Sequence, residues 1–227
     1  MARPANPIAV PADIAEAFAL LTRLPVPAHK PRGAKSAWAW PLAGLVLALL
    51  VGLVAALSLR VGLPPSLAAG LALVAQVALT GGLHEDGLAD TADGFWGGGT
   101  PARRLEIMKD SRIGSYGVIA LVMSLGLRWQ ALSLLLGAGW LFAPLIAAAA
   151  LSRGGMAVLM AALPHARSDG LARSVGKPSL RTVLLAGALA LILGLMTLGW
   201  ALTAPVITLA VAILCLAALA RTKIHGQ

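Results

Sequence analysis

Long apolar runs separated by short polar segments set the pattern of this chain. They fall at about 38–59, 63–83, 116–136, 140–162, 182–202 and 204–220. Each approaches or exceeds the roughly 20 residues that an α-helix needs to cross a bilayer. The runs are rich in Leu and Ala and do not alternate with polar positions, so they predict helices and not strands. Within lipid, only helices and closed barrels satisfy every backbone group. The expected fold is therefore all-α: a polytopic integral membrane helix bundle of about six transmembrane helices, forming one membrane-embedded domain over residues 1–227. Pro64-Pro65 and Ala204-Pro205 mark tight turns between the first two and the last two runs. Arg128, Trp129 and Gln130 interrupt the third run, and Arg128 either snorkels to an interface or faces the bundle interior.

Before the first run, residues 13–23 read as a short helix. Ile14, Phe18 and Leu21 recur at helical spacing, as in an interfacial helix lying flat on the membrane, and Leu24-Pro25-Val26-Pro27 ends it. Pro4, Pro7 and Pro11 break up the extreme N-terminus, and the first long apolar run begins only near Ala37. A secretory leader is not expected.

Composition sharpens the class. Apolar residues are 59% of the chain and charged ones 12%, against roughly 45–50% and 25% in soluble domains, which excludes an ordinary soluble protein. A net charge of +9 raises the question of nucleic acid. The basic residues are dispersed over four inter-helix segments and form no single stripe, so no nucleic-acid partner is expected. These clusters are Arg23, Lys30, Arg32 and Lys35; Arg103, Arg104, Lys109 and Arg112; Arg167, Arg173, Lys177 and Arg181; and Arg221 with Lys223. An even number of predicted helices separates each cluster from the next, so one orientation puts all four in the cytoplasm. Arg60, and Arg128 if it reaches an interface, are then left outside. Cys215 is the single cysteine, inside an apolar run, and forms no internal disulfide.

The candidate chemistry lies in one polar segment at about 84–115. Six of the nine acidic residues fall there: Glu85, Asp86, Asp90, Asp93, Glu106 and Asp110. If 86–93 is helical, Asp86, Asp90 and Asp93 sit within roughly 60° of one another on one face. Three like charges so placed repel, and a cation should occupy that face. Hard oxygen donors without cysteine favour Mg²⁺ or a similar ion, which also binds substrate phosphates. Glu85 lies about 100° from that face and is a weaker member of the metal set. His84 points away from it and is read as a capping or hydrogen-bonding group that helps hold substrate, in preference to a ligand. The plain alternative is a solvated acidic loop neutralised by its basic neighbours.

Thr100-Pro101 is a strong helix start. The short helix that follows presents Arg103, Arg104, Lys109 and Arg112 as anion-binding groups, of which Arg104, Lys109 and Arg112 are expected on phosphate. Arg103 is expected on lipid headgroups or an acidic neighbour. Ser111 and its neighbours add backbone N–H groups at the start of the third long helix. Metal-binding acids beside Arg and Lys are what phosphoryl transfer needs, because catalysis there is mostly positioning and charge neutralisation.

Gly-Gly-Leu-His-Glu-Asp-Gly-Leu-Ala-Asp-Thr-Ala-Asp-Gly at 81–94, followed by Arg-Arg-Leu-Glu-Ile-Met-Lys-Asp-Ser-Arg-Ile-Gly-Ser-Tyr-Gly at 103–117, resembles the cobalamin synthases, the adenosylcobinamide-GDP ribazoletransferase family. The segment 18–27 is similar to that family's N-terminal signature, and Ser152-Arg153 and Gly176-Lys177 match weaker positions. The resemblance implies transfer of the cobinamide-phosphoryl group of adenosylcobinamide-GDP to α-ribazole or its 5′-phosphate, with release of GMP. It implies a Mg²⁺ requirement, a bacterial inner-membrane location with the active loop cytoplasmic, and roles for Asp86, Asp90, Asp93 and Arg112 in catalysis. Family members usually continue past the position of Gly226-Gln227 with a Thr-Gly-Asp-containing segment and a final membrane helix, so a further polar motif is expected of the family site. The oligomeric state stays open.

Two other readings compete. A CDP-alcohol phosphotransferase also uses membrane aspartates, Mg²⁺ and loss of a nucleoside monophosphate, but Asp90 stands here where its signature has arginine. A cation transporter predicts ionisable groups deep in several helices, and only Arg128 and Arg153 come near that.

Overall fold

The computed structural model describes residues 10–227. Pro4 and Pro7, read above as breaking any leader, lie outside the described residues. Among those described, every regular element is helical. Helix α1 (Val10–Leu21) leads through an extended stretch and a 3-10 turn (Gly33–Ala39) into α2 (Trp40–Arg60). Then come α3 (Pro65–Thr80), α4 (Leu83–Gly97), α5 (Pro101–Ile107), α6 (Ser115–Gly137), α7 (Phe142–Ala162), α8 (Leu171–Val175), α9 (Leu180–Leu198) and α10 (Thr203–Ile224).

Among the described residues, four helical stretches are long and apolar enough to cross a membrane: Gly33–Arg60, Ser115–Gly137, Phe142–Ala162 and Leu180–Ile224. A fifth is added if α3 and α4 form one bent span. The chain is thus a multi-pass membrane protein, and length with composition yields four or five spans where the pattern predicts about six. Two features make the difference. Helix α3 has only 16 residues, about 24 Å at the standard rise. Helices α9 and α10 are joined by a 3-10 turn (Gly199–Leu202) into one 45-residue helical stretch.

That stretch reverses direction on α7. Ala186 packs in a cluster with Ala157, while Ala190, Leu202 and Leu209 lie with Ala150 and Leu151. Ala220 and Ile224 return to Leu163 at the other end of α7. Close approach depends on small residues, since apolar helices in lipid associate through packing. A Cβ added at Gly44 would lie 2.6 Å from the Ala149 carbonyl oxygen of α7, and one at Gly154 would lie 2.9 Å from the Ala190 Cβ of α9.

Helix α1 does more than float at an interface. Its Ala17 and Leu21 are buried against Trp40 and Ala43 of α2. Asp13 is fully buried, accepting hydrogen bonds from Arg32 Nε at 2.6 Å and Trp38 Nε1 at 3.0 Å. The polar residues on its inner face therefore serve the 3-10 turn, not water.

Loops gather by charge. Lys109 bridges to Asp169 at 2.6 Å, Arg104 donates to the Lys223 carbonyl at 3.0 Å, and Gln227 donates to the Met160 carbonyl at 2.9 Å. Gly33 lies against Val175. One end of the bundle thus collects members of all four basic clusters. The opposite end carries Arg60 and the apolar contacts of Leu59, Leu136 and Leu141.

Candidate active site

Helix α4 exists because the chain turns sharply after α3. Gly81 and Gly82 take φ of +65° and +71°, a left-handed region that a Cβ disfavours, and the axis swings by 87°. Helix α4 then crosses α6 and touches it at both of its ends. Near its start, Glu85 accepts from Arg128 of α6 at 2.8 Å. Near its end, the buried Asp93 carboxylate accepts from the backbone N–H of Gly114 at 2.7 Å and of Gly117 at 2.9 Å. Asp93 is therefore the anion at the N-terminus of α6, where unpaired N–H groups and the helix dipole favour negative charge. A Cβ at Gly114 or Gly117 would run into this carboxylate, which accounts for glycine at both positions.

Asp86 and Asp90 lie one turn apart on α4, Asp86 exposed and Asp90 partly buried. Among the described residues no hydrogen bond or ion pair engages either carboxylate. Burial raises the Asp90 pKa, and the charges of Asp86 and Asp93 raise it further, while Arg167 from the segment before α8 opposes them. Crowded carboxylates that resist losing a second proton mark a place where a cation would be welcome. Among the described residues no group of three or more His, Cys, Asp or Glu side chains closes on a common point. The donor set nonetheless fits Mg²⁺, which is commonly held by one or two carboxylates plus water and substrate phosphate, not by an all-protein cage. Asp86 and Asp90 are the residues that could hold it. Glu85 faces Arg128, turned from them.

The basic side has partners already. Arg103 pairs with Glu106 at 2.7 Å, an acidic neighbour as expected. Arg104 reaches the carbonyl of Lys223 at the C-terminal end of α10, and its buried Nε has no partner among the described residues. Lys109 bridges to Asp169, whose pKa it lowers. Arg112 forks onto Asp110, with Nε to Oδ1 at 3.0 Å and Nη2 to Oδ2 at 2.6 Å, and holds that carboxyl down at about 2. Arg112 is 87% exposed at its side chain, and Ser111 beside it is exposed too.

A second polar group lies inside the bundle. Arg153 of α7, only 6% exposed, donates through Nη1 to Ser152 Oγ at 3.0 Å and through Nη2 to His84 Nε2 at 3.1 Å. Arg128 stands nearby with Glu85. Thus His84 makes a hydrogen bond to a buried arginine, and Arg128 resolves to the bundle interior. The motif by itself did not mark Arg153, Arg128 or Arg167 as part of the site. For Arg153 and Arg128 the available signal was an arginine within an apolar run, which is costly at membrane depth and is kept for a reason; Arg167, in the polar segment before α8, carried no such signal.

Residues 13–227 match the sequence profile of the family described as cobalamin-5-phosphate synthase. The adenosylcobinamide-GDP ribazoletransferase of Bradyrhizobium diazoefficiens is 46% identical over 221 residues, covering 95% of this chain and 85% of that protein. The protein of the same name in Mesorhizobium japonicum is 48% identical over 190 residues, covering 82% and 73%. That of Brucella canis is 41% identical over 233 aligned positions, covering 95% and 88%. No solved structure matches the chain.

Proposed function

This chain belongs to the cobalamin-5-phosphate synthase family, and from that premise we propose that it is the membrane transferase joining the cobinamide-phosphoryl group of adenosylcobinamide-GDP to α-ribazole or its 5′-phosphate. A ribose hydroxyl of the acceptor attacks the phosphorus that carries cobinamide. The bond from that phosphorus to the oxygen of the GMP moiety breaks, GMP leaves, and the hydroxyl proton passes to water. The observation that carries the reading is the family match together with Asp86 and Asp90, two unengaged carboxylates one turn apart at the basic end of the bundle.

Asp86 and Asp90 would hold Mg²⁺, which when bound supplies charge neutralisation at the diphosphate. Asp93 sets the angle between α4 and α6, and so fixes where those two carboxylates point. Arg112 and Lys109 lie on the exposed linker beside α4 and bind phosphate by exchanging their present carboxylate partners for it. Ser111 adds its hydroxyl there, and Arg104 contributes by docking α10. The chain crosses the bacterial inner membrane six times, with α9 and α10 as separate passes and the basic end, including the active segment, in the cytoplasm. The opposed directions of α9 and α10 on α7 and the segregation of charge to one end support that count. The CDP-alcohol phosphotransferase and transporter readings are not favoured, since the family match spans nearly the whole chain.

The test is GMP release by purified protein given adenosylcobinamide-GDP with each acceptor, in Mg²⁺ and in chelator. Release that needs donor, acceptor and Mg²⁺ together is expected. Folded protein that releases no GMP with either acceptor would refute the proposal.

A further inference from the structure

A cavity of about 490 Å³ is lined by α2, α3, α6 and α7, with the first turn of α4 at one pole. Its walls are apolar, with Leu47, Val51, Leu132 and Leu145 among them. Its polar pole is built from Gln76, His84, Glu85, Arg128, Ser152 and Arg153. Two buried atoms at this pole, Arg153 Nε and Glu85 Oε2, have no hydrogen-bond partner among the described residues. Charge is also out of balance there. Arg128 is matched by Glu85. Arginine has no acceptor atom, so in its bond with Arg153 the His84 ring must accept through an unprotonated Nε2, and the ring is neutral. Arg153 therefore sits between Ser152 and a neutral histidine, a buried cation without a carboxylate of its own among the described residues. Inside a membrane bundle such a group calls for an anion.

The volume falls within the range of about 300–1,000 Å³ typical of small-ligand sites. Of the two substrates, the donor is a nucleotide-linked corrinoid far too large to enter. The acceptor is an apolar bicyclic base on a ribose, with or without a 5′-phosphate, and its two halves match an apolar cavity with a cationic pole. We infer, resting on the transferase reading, that this cavity is the acceptor site. The base occupies the apolar chamber, and Arg153, with Ser152, binds the 5′-phosphate. Glu85 Oε2 accepts from a ribose hydroxyl, one residue along α4 from Asp86.

Direct binding of α-ribazole and of α-ribazole 5′-phosphate, each without donor, tests this on wild-type protein, Ala148→Phe and Arg153→Gln in detergent, alongside KM for both substrates. Ala148 lines the cavity and is exposed, so a phenyl ring there fills the chamber without displacing packed helices. Ala148→Phe should weaken both acceptors by roughly tenfold or more. Arg153→Gln should weaken the phosphorylated acceptor by roughly tenfold or more, the scale of one charge-assisted hydrogen bond, and the nucleoside by less than about twofold. KM for the donor should stay unchanged in both. If Arg153→Gln does not fold, Ala148→Phe carries the test alone. Wild-type affinity for both acceptors in Ala148→Phe overturns the assignment, as does an equal loss for both acceptors in Arg153→Gln. Wild-type protein that releases GMP while Ala148→Phe keeps its acceptor KM defeats the cavity assignment only. Wild-type protein that binds no acceptor and releases no GMP defeats the transferase reading as well.

Discussion

Asp93 is the most informative residue to change, because its geometry assigns it to the fold while its spacing groups it with the metal ligands. Its carboxylate takes two N–H bonds from the start of α6, at 2.7 and 2.9 Å, in a site only 7% exposed. Asp93→Ala leaves the buried Gly117 N–H and the half-buried Gly114 N–H without an acceptor, the first at about 1–3 kcal/mol and the second at less, hence roughly 2–4 kcal/mol in all. Asp93→Asn keeps one acceptor oxygen but turns an NH₂ toward the other N–H and removes the charge at the helix N-terminus, a loss of roughly 2–3 kcal/mol. Either is a large share of the 5–15 kcal/mol typical of a domain. Asp90→Asn, by contrast, removes repulsion with Asp86 and touches no hydrogen bond, so it should leave stability unchanged or raised. Thermal unfolding of the purified variants in detergent separates the cases, and hydrogen exchange at residues 114–117 localises the effect. Asp93→Ala melting with the wild type and keeping slow exchange at 114 and 117 would show that the α6 cap is dispensable and that Asp93 serves some other purpose.

Four further outcomes are expected. Asp86→Asn and Asp90→Asn should each lower turnover by roughly two orders of magnitude or more with the protein still folded, measured as GMP release across a Mg²⁺ titration. The Asp90 carboxyl is raised above its ordinary 3.8, so as pH falls its ionised form is lost above that value. Mg²⁺ affinity should therefore begin to weaken at a pH above 3.8, and Asp86→Asn should move that limb to lower pH, as read by isothermal titration. Thr100→Cys in a Cys215→Ser background should be labelled from the cytoplasmic side only, and labelling of intact cells from outside would overturn the orientation. Arg104→Ala should loosen the end of α10, seen as faster hydrogen exchange at 220–224, because the Lys223 carbonyl loses its donor and a helix C-terminus loses a cation. Unchanged exchange there would mean Arg104 is free to serve substrate instead.

The helical class, the membrane and the approximate places of the long apolar helices were legible in the sequence because apolar runs of that length have few other solutions in water or lipid. Thr100-Pro101 likewise announced α5, through a cap that is purely local: the Thr100 side chain accepts from Arg103 N. The spacing of Asp86, Asp90 and Asp93 puts the acids on one face only if that segment is helical, and α4 supplies the condition, since helical periodicity depends on neighbours in the chain alone. What it did not contain was the identity of their partners. That Asp93 meets the α6 amides, Glu85 meets Arg128, and His84 meets Arg153 depends on the 87° turn at Gly81-Gly82 and on where α4 then crosses α6 and α7. The same holds for the basic residues: net charge and clustering are properties of the sequence, but Arg104 on the α10 terminus and Lys109 on Asp169 join residues 119 and 60 positions apart. Local patterns fix which residues share a face, whereas which face meets which is decided by packing small residues such as Gly44 and Gly154 against distant helices, and only the folded bundle specifies that.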